Sequence, residues 1–118
     1  MTQDYLRIRV LEVAPQVYAC GPLVESDLSL LAKQGVRRIL NTRPDVESPG
    51  QPASASLAKA AEEYGIKCAH FPVVDARSMS DETKQDFAQV AAGLERPMMV
   101  CGRSGGHSTR VWETAEPD

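Results

Sequence analysis

Glycines that stop helical patterns just ahead of short apolar runs constrain the fold of this chain more than any other feature. A helix capped by Ser26 runs through Leu28, Leu30, Leu31 and Ala32 and stops at Gly35, and Val36 to Leu40 then reads as a short buried strand. The pattern repeats: Ala53 to Tyr64 carries Leu57, Ala60 and Ala61 on one side, Gly65 ends it, and Ile66 to Phe71 forms the next strand, closed by Pro72. A third helix starts near Ser80, with Asp81 and Glu82 in its first turn, and reaches about Leu94. Pro97 opens the final strand, Met98-Met99-Val100, which delivers Cys101. Beyond Ser108 there is room only for a short helix ending between Trp112 and Ala115. Ahead of this alternation, Arg7 to Val13 and Val17 to Cys20 flank Ala14-Pro15-Gln16, a hairpin or edge strand pair closed by a turn. The expected fold is α/β: one domain over residues 1–118, with a small, mainly parallel sheet flanked by helices and a cysteine loop between the last strand and a short helix.

Composition excludes several functional classes. Hydrophobic residues make up 42% of the 118-residue chain and charged residues 25%, values that support a packed core rather than disorder. A formal charge of −3 argues against a nucleic-acid or membrane-surface binder. No apolar run approaches a membrane span, and MTQDYLRIRV has no signal-peptide core, so a cytoplasmic setting is expected. Cys20, Cys68 and Cys101 are irregularly spaced, contain no C-x-x-C pair and, with only His70 and His107 beside them, predict neither disulfides, a metal site nor a cofactor. Cys20, Cys68, His70, Phe87 and Trp112 read as packing residues.

In a parallel sheet, ligands gather at the carboxyl ends of the strands. Three segments end there: Asn41-Thr42-Arg43, Pro72 to Asp75, and Cys101 to Ser108. The last runs Cys101-Gly102-Arg103-Ser104-Gly105-Gly106-His107-Ser108, a strand-end cysteine followed by a glycine-rich turn and a helix start. Glycines allow successive N–H groups to line a nest for an anion, and the helix adds its positive end. The same field would lower the thiol pKa and make Cys101 a nucleophile, whereas a buried cysteine before a flexible turn carries no chemistry. Arg43 can face the anion or pair with Asp45 or Glu47, and Ser108 can bond the thiolate or cap the helix. Asp75 can protonate a leaving group or be a solvated loop residue.

The run Arg38-Ile39-Leu40-Asn41-Thr42-Arg43-Pro44-Asp45, then Glu47, Pro49-Gly50-Gln51-Pro52, Phe71-Pro72-Val73 and Cys101 to Ser108, resembles the bacterial beta-lactamase hydrolase-like phosphatase family, a branch of the tyrosine and dual-specificity phosphatases. The resemblance spans about Val17 to Trp112. It implies a phosphatase-like fold, Cys101 as nucleophile, Asp75 as general acid, and a phosphorylated substrate such as phosphotyrosine or a small phosphomonoester. It also implies sulfur transfer through a Cys101 persulfide, with a sulfur-donor substrate, as an alternative; a third reading is an inactive phosphate-binding module. One departure stands out. Tyrosine phosphatases carry arginine six residues after the cysteine, and members of the narrower family read Cys-Arg-Ser/Thr-Gly-x-Arg-Ser. This chain has His107 in the arginine's place and Gly102 as an extra residue. Imidazole cannot reproduce the guanidinium fork, and losing such a clamp costs on the order of 10²–10³ in rate.

Overall fold

The computed structural model describes residues 9–117. Its elements run β1 (Val10–Ala14), β2 (Val17–Cys20), α1 (Glu25–Lys33), β3 (Arg38–Asn41), α2 (Ser54–Glu62), β4 (Lys67–His70), a 3-10 turn at Ala76–Ser78, α3 (Asp81–Ala92), β5 (Met98–Cys101) and α4 (Gly105–Ala115). Arg7 and Ile8, the start of the expected first strand, lie outside the described residues.

The five strands form one sheet in the order β1-β2-β5-β3-β4. β1 and β2 make the expected antiparallel hairpin, and every other pairing is parallel. β5 therefore sits at the centre, with Cys101 level with Cys20 on one side and Asn41 on the other. Each parallel strand delivers its loop to the same edge of the sheet, the edge expected to carry the site.

Helices cover both faces. Leu28, Leu31, Leu57 and Ala61 of α1 and α2 pack on one face with Ile39, Met99, Cys20 and Cys101. Phe87, Ala91, Val111 and Trp112 of α3 and α4 pack on the other with Val17, Leu40, Met98 and Val100. Successive β5 residues thus alternate between layers, as the pleat demands. Phe87 stands edge-on to Phe71 at 5.3 Å and to Trp112 at 6.3 Å, pinning α3 and α4 together.

Helix starts differ from expectation in two places. Ser26 is inside α1; the N-cap is Val24, whose N–H donates to the Asp27 carboxylate at 2.8 Å. α4 begins at Gly105 rather than beyond Ser108, because Ser104 is its N-cap and Ser104 Oγ accepts from the His107 N–H at 3.0 Å. That cap draws Gly105 and Gly106 into the first helical turn, so the loop between β5 and α4 shortens to residues 102–104. α3 starts as expected, with Ser80 Oγ accepting from the Thr83 N–H.

Candidate functional site

The three strand-end loops are tied into one rim. Thr42 donates twice to the Cys101 carbonyl, from N–H at 2.9 Å and from Oγ1 at 2.8 Å. Phe71 N–H donates to the Asn41 carbonyl and Val73 N–H to the Thr42 carbonyl, each at 2.9 Å. From the last loop, Gly102 N–H and Ser108 Oγ both donate to the Cys20 carbonyl, at 3.3 and 2.7 Å. His107 Nε2 lies 2.9 Å from the Val73 carbonyl, and Arg103 donates to the Val74 carbonyl at 2.9 Å. Thr42 is fully buried at the middle of this lattice. A single polar residue at a strand end gives the sequence no signal for such a role.

The sequence-identified residues divide into distinct environments. Cys101 is 1% exposed, belongs to the α1–α2 layer, and its Sγ lies 3.5 Å from Asn41 Oδ1. α4 packs on the opposite layer. Position 102 is the one that faces α4: a Cβ there would stand 2.6 Å from Ser108 Oγ, 3.0 Å from Thr42 Oγ1 and 3.2 Å from His107 Cδ2. Only glycine lets the first turn of α4 approach the sheet edge this closely. His107 is 2% exposed and its ring is engaged with Val73, while the Ser108 hydroxyl is engaged with Cys20 and, at 3.2 Å, the Ser104 carbonyl.

At the open end of α4, Ser104 takes up the N–H of His107 through its hydroxyl and that of Ser108 through its carbonyl. As the first two residues of α4, Gly105 and Gly106 have no intrahelical acceptor for their N–H groups. Arg43 does not reach this end. Its Nε donates to Glu47 Oε1 at 3.0 Å and its Nη2 to Ser48 Oγ at 3.2 Å, inside the long loop. His70, expected in the core, is exposed and meets the Arg43 carbonyl through Nε2 at 2.6 Å. Asp45 completes the loop by accepting from the Ser54 N–H at 2.8 Å at the start of α2.

Electrostatics follow burial. Desolvation, with the neighbouring Cys68 thiol second, pushes the Cys101 pKa up to about 12 against a weaker opposing pull from Arg43. The thiol is therefore protonated at neutral pH. Asp75 moves the other way: the Arg77 N–H and side chain, both bonded to its carboxylate, hold its pKa below the usual value. It is an ionised group near neutrality, and its carboxylate caps the 3-10 turn. Among the described residues no group of three or more His, Cys, Asp or Glu side chains converges on a metal position, and no helix is long and apolar enough to cross a membrane.

The fold has counterparts. A candidate phosphatase from Neisseria meningitidis Z2491 superposes with a TM-score of 0.77 at 26% identity, over 86% of this chain and 72% of that one. A second, from Shewanella putrefaciens CN-32, matches with a TM-score of 0.72 at 24% identity, over 93% and 70%. The beta-lactamase hydrolase-like protein of Xylella fastidiosa strain 9a5c is 26% identical over 109 residues, which are 92% of this chain and 25% of that protein. The chain thus spans about a quarter of the length of the curated relatives it matches. The family model described as "Beta-lactamase hydrolase-like protein, phosphatase-like domain" matches residues 6–117, and the chain belongs to that family.

Proposed function

We propose that this phosphatase-like domain binds an oxyanion at the open end of α4 and does not turn it over through Cys101. The observation that carries this reading is the division of faces. Cys101 belongs to the α1–α2 layer as a buried thiol whose pKa burial raises, whereas α4 packs Val111 and Trp112 on the other layer and Gly102 is the position that meets its first turn. Glycine offers no nucleophile there, and an ionised Asp75 has no proton to give. What remains is an electropositive helix start whose first two N–H groups have no intrahelical acceptor, which suits binding. The domain acts as one unit, and its free cysteines fit a reducing, cytoplasmic setting.

Titration calorimetry with phosphate and vanadate, alongside aryl-phosphate hydrolysis, tests the reading. Both anions are expected to bind, and any hydrolysis is expected to be equal in wild type and Cys101→Ser. A phosphoenzyme trapped on Cys101 would overturn it. Gly105→Pro removes one donor at the first helical position, where proline is tolerated and where Ser104 already has extended dihedrals (φ −155, ψ 160). It should weaken phosphate binding roughly five- to tenfold while leaving the melting temperature nearly unchanged.

The family favours a second reading: hydrolysis of phosphotyrosine or small phosphomonoesters through a Cys101 phosphoenzyme, with Asp75 as acid. The pull of Arg43 on the thiol supports it, but the reaction needs a rearrangement that exposes Sγ. Sulfur transfer through a Cys101 persulfide has the same requirement. A persulfide mass on Cys101 after incubation with thiosulfate would establish it, and its absence would remove it.

A further inference from the structure

We infer that the cleft between the β1–β2 hairpin and α4 binds a small amphipathic oxyanion, an organic phosphate or carboxylate with an apolar body. The inference rests on the oxyanion reading above and names the ligand class for it. The cleft is open to solvent and offers about 880 Å³, within the range of about 300–1,000 Å³ typical of small-molecule sites.

Its charge is one-sided. Arg9, Arg103 and Arg110 line it, against one carboxylate, that of Glu113. Among the described residues none of these arginines has a carboxylate within ion-pair distance, although the chain carries a net charge of −3. Although Arg110 is exposed, its Nη1 and Nη2 lie 3.8 and 4.0 Å from where a Cβ on Gly106 would stand, so the guanidinium sits beside the first turn of its own helix. A cation held against the positive end of a helix is unfavourable by itself and becomes favourable when an anion is shared between them. The guanidinium forks match phosphate and carboxylate oxygens.

Val10, Leu11 and Pro22 supply an apolar wall to the same cleft. Leu11 is 57% exposed, although its strand partner Ala19 is fully buried. A bare inorganic ion would leave this wall in water; an aryl or alkyl body on the same anion would cover it.

The experiment titrates the intact chain with phenyl phosphate, benzoate, inorganic phosphate and a polyglutamate peptide. An aryl anion should bind at least about tenfold tighter than inorganic phosphate. Arg110→Ala should weaken that binding at least about fivefold. Leu11→Ser should erase the preference for the aryl anion and leave inorganic phosphate binding unchanged. Both side chains are exposed, and circular dichroism with a thermal melt verifies that the variants fold. The tighter of phenyl phosphate and benzoate identifies the head group, and either supports the inference when it depends on Leu11. Equal binding of phenyl phosphate and inorganic phosphate overturns the inference while the oxyanion reading stands. No binding of any anion overturns both. Tighter binding of polyglutamate than of either aryl anion overturns it by making the cleft a surface for acidic peptides.

Discussion

The loop from Thr42 to Ala53 and the loop from Gly102 to Ser104 leave neighbouring central strands at the same edge, yet they use their polar groups in opposite ways. In the longer loop Arg43 pairs with Glu47 and Ser48, Gln51 donates to the Pro44 carbonyl at 2.9 Å, and Asp45 binds the start of α2. Its polar side chains are turned inward on one another. In the shorter loop Arg103 turns back to the Val74 carbonyl and Ser104 to the His107 N–H, while Gly105 and Gly106 lie on the wall of the adjoining cleft. The long loop is thus a closed frame and the short one the edge proposed to bind, although the length and the arginine of the former suggest the reverse.

The contrast breaks most severely at Gly102. Gly102→Ala should destabilise the fold by roughly 1–3 kcal/mol, because its Cβ must displace Ser108 Oγ and so disturb the bond to Cys20. Denaturant unfolding measures the loss. The double variant with Ser108→Ala should lose less than the sum of the single changes, since the clash is shared. If Gly102→Ala is neutral, the close approach of α4 is not what holds the edge together.

Arg43→Ala sharpens the contrast from the other side. The guanidinium is 8% exposed and Glu47 is 17% exposed, so removing it strands a largely buried carboxylate at a cost of about 1–2 kcal/mol. Phosphate affinity should stay within about twofold of wild type. A loss of anion affinity larger than the loss of stability would make the long loop part of the binding edge.

The smallest effect within an ordinary pH range comes from Cys101. Its folded pKa is raised from 9.0 to about 12, so the unfolded chain loses its proton first. The stabilising contribution is complete below pH 9 and declines as pH rises toward 12. Cys101→Ala should flatten the alkaline limb of a stability-against-pH curve. Cys68, raised to about 11, leaves a residual slope. An unchanged limb in Cys101→Ala would mean that the thiol is already accessible to water in the folded protein.

Strand and helix order was legible because Gly35 and Gly65 punctuate the chain, and both adopt positive φ (89° and 76°) where their helices stop. The layer that receives Cys101 was not. Met98-Met99-Val100-Cys101 is apolar throughout because a central parallel strand is buried on both faces, and a uniform run carries no period-2 signal. The start of α4 was missed because Gly105-Gly106 reads as a turn until the Ser104 cap is seen. The pairing of Arg43 with Glu47 lies in an irregular loop, where spacing does not determine which side chains meet; sequence left it level with an anion contact.

The double use of the Cys20 carbonyl has a dynamic consequence. Gly102 N–H and Ser108 Oγ converge on that one oxygen, while Thr42, Val73 and His107 link onward to the next strands. No member of the rim can open without stranding a buried partner on a neighbouring strand. The amide protons of Thr42, Val73 and Gly102 should therefore exchange with solvent as one cooperative unit, at a rate set by opening of the central strands rather than by local fraying.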